Sequence, residues 1–197
     1  PLPNLLFTRD IAVVIGKKII LTYSRFEARR NEYLISKFIF THHPIFKGID
    51  IVDFRELSNG LSLEGGDVFI VNKEILLIGI SERTPYQSIE IIKDVAFEEG
   101  FKIIIGIDLP KKRAMIHLDT IFTIIDTNKA IVFDHDEQQI NNFPIYVCSK
   151  DSSSSLQRTS DNFFEILSKY GMDFDIIKCG GSDPKNQLKE QWTDGAN

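Results

Sequence analysis

The chain has 197 residues, of which 43% are hydrophobic and 26% charged, and a formal net charge of −5. That mixture suits a soluble globular protein with a real core in one domain or two small ones, and the negative balance argues against nucleic acid and anionic membranes as partners. No apolar run is long enough to span a bilayer, and two cysteines, Cys148 and Cys179, cannot build a disulfide framework and suit a reducing cytoplasm. No signal peptide opens the chain, and with Pro1 as its first residue the natural start is expected to lie elsewhere.

Ile11 to Ile15 and Ile19 to Tyr23 flank Gly16-Lys17-Lys18, which predicts two strands around a tight turn. Ser24-Arg25-Phe26-Glu27 has the capping-box pattern, so a helix is predicted from there to about Phe40, with Leu34, Ile35 and Phe38 facing inward. His42-His43-Pro44 stops it, and Ile49 to Phe54 reads as a third strand. The same order then recurs. Glu64-Gly65-Gly66-Asp67 precedes strands Val68 to Val71 and Ile75 to Ile80, and Thr84-Pro85-Tyr86-Gln87 is a second capping box. Ile89, Ile92 and Ala96 keep helical spacing to a stop at Gly100, and Phe101 to Ile107 closes the unit.

A looser third copy starts at His117-Leu118-Asp119 with strands Ile121 to Ile125 and Ala130 to Phe133. An extra strand, Ile145 to Cys148, and a serine-rich loop, Ser152 to Ser155, precede its helix, whose apolar stripe is Leu156, Phe163, Leu167 and Tyr170. Phe174 to Ile177 is its last strand, and Asp183 to Asn197 reads as a polar tail without a capping element.

The unit is therefore strand, strand, helix, strand, at a period of roughly fifty residues. Each copy opens with an acid: Asp10, Asp67 or Asp119. Such repeats stack to bury their faces, and radial stacking brings equivalent strand ends to one axis, here Asp10, Glu64, Asp67, His117 and Asp119. In a strand, His117 and Asp119 would share a face as an acid/base pair, although a surface histidine beside a strand-edge acid fits the pair equally well. Converging carboxylates need a cation between them. A metal would want closely spaced histidines, but His42, His43 and His135 fall in different parts of the repeat, and Asp134-His135-Asp136 reads as a solvated loop. A planar guanidinium fits paired carboxylates well, and Arg29 and Arg83 could hold a substrate carboxylate or be ordinary surface arginines.

Pro3-Asn4-Leu5-Leu6-Phe7-Thr8-Arg9-Asp10, Glu64-Gly65-Gly66-Asp67, Ser81-Glu82-Arg83-Thr84, His117-Leu118-Asp119-Thr120 and Gln191-Trp192-Thr193-Asp194-Gly195-Ala196-Asn197 resemble, in order and spacing, the arginine deiminase family. The resemblance implies a pentein-type α/β propeller, a guanidine-modifying fold of five pseudo-symmetric units. This chain would cover about three, at roughly 4–54, 64–107 and 117–178, with a tail at 179–197. It implies hydrolysis of L-arginine to L-citrulline and ammonia without metal or cofactor, through a cysteine thiolate that attacks the guanidinium carbon. Asp10 and Asp119 would clamp the guanidinium, and Glu64 and His117 would orient substrate and handle protons. Asn4, Arg29 and Arg83 would hold the α-amino and carboxylate end, with Phe7 packed on the substrate.

The family's nucleophilic cysteine follows the motif that ends here at Asn197. Cys179 precedes that motif and Cys148 lies on an apolar strand, so the nucleophile is expected outside these residues. The family's N-terminal unit and helical insertion are likewise expected before Pro1, and Ile11 replaces the proline that commonly follows Thr-Arg-Asp. The chain is then the middle of an arginine deiminase, expected to form homo-oligomers or to associate with missing segments of the same protein. The alternatives are a hydrolase of agmatine or methylated arginine on the same fold, or a non-catalytic arginine-binding remnant. Arg83 favours arginine, because it needs a carboxylate to pair with.

Overall fold

In each unit the two apolar runs on either side of a tight turn pair with each other. A computed structural model describes residues 6–133, 139–152, 155–193 and 195–196. In it, β1 (Ala12–Ile15) and β2 (Lys18–Leu21) form an antiparallel hairpin. Its turn uses Gly16 at φ +60°, a conformation that costs glycine nothing sterically. Helix α1 (Arg30–His42) then crosses to β3 (Asp50–Asp53), which lies parallel to β2, and a single turn α2 (Phe54–Leu57) follows.

The second unit repeats this plan with β4 (Val68–Ile70), β5 (Ile75–Ile80), α3 (Tyr86–Glu98) and β6 (Ile103–Asp108), antiparallel and then parallel. The third unit has β7 (Phe122–Asp126) and β8 (Lys129–Val132). After β9 (Ile145–Ser149) and β10 (Gln157–Arg158) come α4 (Phe163–Lys169) and β11 (Asp175–Lys178), the latter parallel to β8. The chain continues into α5 (Pro184–Trp192).

Several elements differ from the sequence reading. The strand at 145–149 belongs to the second sheet, whose order is β10-β9-β6-β5-β4. Ile104, Ile105 and Ile107 of β6 are fully buried, and β9 supplies backbone partners along the edge that β6 would otherwise leave open. The last unit's helix starts only at Phe163, where Asn162 and Glu165 form a true capping box, and Leu156 packs on the second sheet instead. The polar tail contains α5, with Asp183 accepting from Lys185 N and Pro184 at the first helical position.

The inward face of α1 is also the reverse of the expected one. Glu32, Tyr33 and Ser36 are buried, whereas Leu34 and Phe38 are 56% and 66% exposed. The inner residues are polar and satisfy one another: Tyr33 Oη donates to Asp53 at 2.5 Å, and Lys37 Nζ lies 2.7 Å from the same carboxylate.

The second sheet is the middle layer. Side chains alternate along β5, so Leu76, Ile78 and Ile80 pack with Ile15, Ile20 and Phe54 of the first unit. Ile75 and Leu77 pack with Phe122, Phe133 and Phe163 of the third. Among the described residues no helix is long and apolar enough to cross a membrane.

Each unit's first strand is preceded by one 3₁₀ turn: Thr8–Ile11, Gly65–Asp67 and Leu118–Thr120. The second of these packs against both others. These turns bring the three opening aspartates together.

Candidate active site

Asp119 sits in a 3₁₀ turn and His117 immediately before it, not in the strand on which a shared face would have depended. The turn nevertheless folds them onto one side, with His117 Nδ1 3.9 Å from Asp119 Oδ1 and 3.8 Å from Asp10 Oδ1. On the other side of the ring, Nε2 lies 2.9 Å from Glu64 Oε2. The imidazole is thus held between three carboxylates from three units. Asp67 is fully buried and serves as scaffold. It accepts from Ser81 Oγ (2.6 Å) and from Leu118 N (3.0 Å), which anchors the His117 turn to the second unit.

Gly66 is required for this approach. Its N–H donates to Asp10 Oδ1 (3.2 Å), and a Cβ there would lie 2.7 Å from His117 Nδ1 and 2.9 Å from Asp119 Oδ2.

The balancing cations come from the chain itself. Arg29 Nη1 lies 2.6 Å from Asp10 Oδ2, and its Nε donates to the buried Glu32 at 2.9 Å. Arg83 Nη1 is 3.4 Å from Glu64 Oε2, with its guanidinium 4.3 Å above the Phe26 ring. Arg9 Nε is 3.5 Å from Asp119 Oδ2, and its guanidinium lies over Phe69. Asp10, Glu64 and His117 offer ligand atoms within 4.8 Å of one another, a spacing that could admit a metal ion, but guanidinium groups already face this cluster.

Charge here is strongly perturbed. Burial works against the imidazolium, yet the Glu64 hydrogen bond and the charges of Asp67 and Asp10 outweigh it and hold His117 up to about 9. Burial also opposes Glu64 ionisation, but His117, Ser24 and Arg83 bring Glu64 down to about 2. Asp119 goes the other way. Burial pushes it up to about 7, only partly offset by His117 and Arg9. Its Oδ1 is buried and has no hydrogen-bond partner among the described residues.

These groups open on a cleft of about 300 Å³ lined by Phe7, Arg9, Asp10, Arg29, Arg83, His117 and Asp119, with Leu6, Thr8, Ile116 and Thr120. Of the residues singled out by sequence, Phe7, Asp10, Arg29, Arg83, His117 and Asp119 line it, and Glu64 lies directly behind His117. Asn4 and the stretch Asp134-His135-Asp136 lie outside the described residues. Cys148 and Cys179 are buried in the two hydrophobic clusters, and neither lines the cleft.

Sequence reasoning missed Arg9, Gly66, Glu32 and Ser24. The first two lie in quoted motifs, beside Asp10 and before Asp67. The pattern marks Ser24 and Thr84 as helix caps, but the 3₁₀ turn Glu27–Arg29 leading into α1 has Phe26 at its N-cap, and the residue preceding α3 is Pro85. Both hydroxyls turn to Glu64 instead: Ser24 Oγ donates to Oε1 at 2.7 Å, and Thr84 Oγ1 accepts from its N–H at 3.2 Å. A buried carboxylate and its buried backbone N–H need partners more than a solvated helix end does.

Solved structures share this arrangement of units. The N-terminal domain of ArgZ superposes with TM-score 0.56 at 22% identity, over 66% of this chain and 44% of that one. DDAH from Pseudomonas aeruginosa, complexed with citrulline, gives TM-score 0.55 at 17% identity, over 96% and 73%. The fold is therefore that of the pentein-type α/β propellers, as the resemblance implied. Sequence narrows this further: the arginine deiminase family matches residues 1–197, and the chain belongs to that family. The arginine deiminase of Clostridium perfringens is 38% identical over 205 residues and that of Borrelia garinii 40% over 203, each aligning with 100% of this chain. The chain spans about half the length of these relatives, 49% of each.

Proposed function

We propose that these residues are the guanidinium-binding and proton-transfer part of an arginine deiminase, which converts L-arginine and water to L-citrulline and ammonia. The observation that carries this reading is the pair of carboxylates, Asp10 and Asp119, flanking one imidazole in one cleft. A guanidinium presents parallel N–H donors that two such carboxylates can accept together, and the buried Oδ1 of Asp119 lacks a donor among the described residues. The Arg29–Asp10 contact supports the match, since it is already a guanidinium–carboxylate pair.

The nucleophile is a cysteine outside these residues. Its thiolate adds to the guanidinium carbon, and His117, cationic at neutral pH, gives a proton to the departing ammonia. The imidazole then takes a proton from the water that displaces sulfur, leaving the ureido group. Glu64 keeps His117 oriented and charged. Arg83, with Arg29 and Asn4, takes the α-carboxylate and α-amino end, and Phe7 packs on the substrate stem. Arg29 must turn away from Asp10 as the substrate guanidinium replaces its own. The catalytic domain comprises the three units at roughly 4–54, 64–107 and 117–178, followed by the tail at 179–197. The exposed Leu34, Phe38 and Ile39 of α1 support association with another copy or with the rest of the same protein, in a reducing cytoplasm.

The test is a titration of the chain with arginine and with agmatine, following the His117 imidazole by NMR. Arginine is expected to perturb His117 and to bind at least about tenfold more tightly than agmatine, which has no carboxylate for Arg83. No response to either would refute the reading. The chain alone is expected to make no citrulline, and production that depended on Cys179 would overturn the placement of the nucleophile.

A further inference from the structure

Glu64 divides its two oxygens between two tasks. Oε2 faces the cleft side, 2.9 Å from His117 Nε2 and 3.4 Å from Arg83 Nη1. Oε1 faces the first unit, where it accepts from Ser24 Oγ at 2.7 Å and from Arg25 N at 2.9 Å. A carboxylate on a flexible glutamate stem can rotate, and what fixes its plane here is the pair of donors on Oε1.

The backbone builds this contact. Tyr23 and Leu63, the residues just before Ser24 and Glu64, form an isolated antiparallel bridge with both hydrogen bonds made, at 3.0 and 2.9 Å. That bridge seats residue 24 beside residue 64 across two units. The serine hydroxyl is oriented too. Its oxygen accepts from Phe26 N at 3.3 Å, which leaves its single proton for Glu64. Ser24 is therefore not a helix cap with a fortuitous neighbour, since the 3₁₀ turn Glu27–Arg29 that leads into α1 has Phe26 at its N-cap and no side-chain cap.

We propose that Ser24 is a positioning residue for the Glu64–His117 pair: its hydroxyl pins Glu64 Oε1 so that Oε2 stays aligned on the imidazole Nε2–H. The inference rests on the reading of that pair as the proton-transfer machinery of the site. Ser24 touches no reacting atom and acts only through Glu64. The hydroxyl also favours the ionised carboxylate, in keeping with the low value at which Glu64 is held.

The experiment uses the 197-residue chain labelled with ¹⁵N at histidine, and measures solvent exchange of the His117 Nε2 proton at neutral pH. In the unsubstituted protein that proton is buried in a charge-assisted hydrogen bond and is expected to exchange slowly. Ser24→Ala is expected to raise its exchange rate about tenfold or more, as the carboxylate loses its side-chain anchor, and Ser24→Thr to restore it. Ser24→Cys, close in shape but a poor donor, should behave like Ser24→Ala. A folded Ser24→Ala protein whose Nε2 proton exchanges at the original rate would overturn the proposal. So would failure of both the alanine and cysteine variants to fold, because the serine would then be a folding element. Adding arginine to the same samples separates the two readings. If His117 ignores arginine but its exchange still depends on Ser24, the positioning role stands and the guanidinium site fails; the reverse pattern removes Ser24 alone.

Discussion

Asp119→Asn should improve stability and abolish binding in the same molecule. Burial raises the Asp119 pKa from 3.8 to about 7, so folding favours the neutral acid. Its contribution is complete below pH 3.8 and is lost as pH rises through about 7. At 1.36 kcal/mol per pKa unit, an ionised Asp119 costs the folded chain at most about 4 kcal/mol at pH 8. The pull of the imidazolium and Arg9 is already contained in that value, but the variant's buried amide N–H groups cost about 1–3 kcal/mol, so a net gain of about 1–3 kcal/mol is expected. For a chain of this size that raises the melting temperature by roughly 2–10 °C at pH 8. At pH 5 the folded acid is protonated but the unfolded one is still ionised, so the cost of carrying Asp119 falls to about 1.6 kcal/mol and the amide's own burial cost offsets most of the gain. Arginine affinity should fall about a hundredfold or more at pH 8, because an acceptor becomes an amide that can turn a donor toward N–H groups. Melting curves at the two pH values and calorimetric binding decide the matter. A variant that melts at or below the parent temperature at pH 8 would refute the burial argument. One that binds arginine normally would refute the clamp.

Three further outcomes follow from the same geometry. Arginine affinity should be level between about pH 7 and 9 and fall about tenfold per pH unit below 7, as Asp119 takes up a proton; a calorimetric profile that stays flat to pH 5 would contradict this. Gly66→Ala places a methyl group 2.7 Å from His117 Nδ1 and should cost about 1–3 kcal/mol of stability and at least about tenfold in arginine affinity. Parent-like melting and binding would show that the turn gives way freely. Glu64→Gln should lower the His117 midpoint from about 9 by at least about one pH unit, read by NMR titration, because it removes both the hydrogen-bonded partner and its charge. An unmoved midpoint would mean that Asp67 and Asp10 alone hold the imidazolium.

Most of the fold was legible because the repeat rests on short isoleucine-rich runs whose pairing is local. Val68 to Ile80 and Ile103 to Asp108 form a buried hairpin and a parallel return, as their turns and length implied. Non-local pairing was not legible: nothing in Ile145 to Ser149 says that its partner is β6 of the preceding unit. The convergence of the acids was legible for a different reason. Equivalent acids at equivalent repeat positions converge whatever the local backbone does, so Asp119 reached the centre although its segment is a 3₁₀ turn and not a strand.

The misses at Ser24, Thr84 and α1 have a common cause. Ser24 and Thr84 satisfy the local rule for capping a helix, and Leu34 and Phe38 satisfy the local rule for facing a core. In each case a buried ionised group prevails. A solvated helix N–H can turn to water, whereas Glu64, at 1% exposure, has only what the protein brings to it. By the same reasoning α1 turns Glu32 and Tyr33 inward, because Arg29 and Asp53 need those partners more than Phe38 needs cover, while Ser36 bonds the Glu32 carbonyl of its own helix. Desolvating an unpaired charge costs several kcal/mol, and leaving one phenylalanine exposed costs about 2. Local propensity therefore loses wherever it competes with the charges of the centre. A serine or threonine in a capping pattern that caps nothing is itself a pointer to a buried acid nearby.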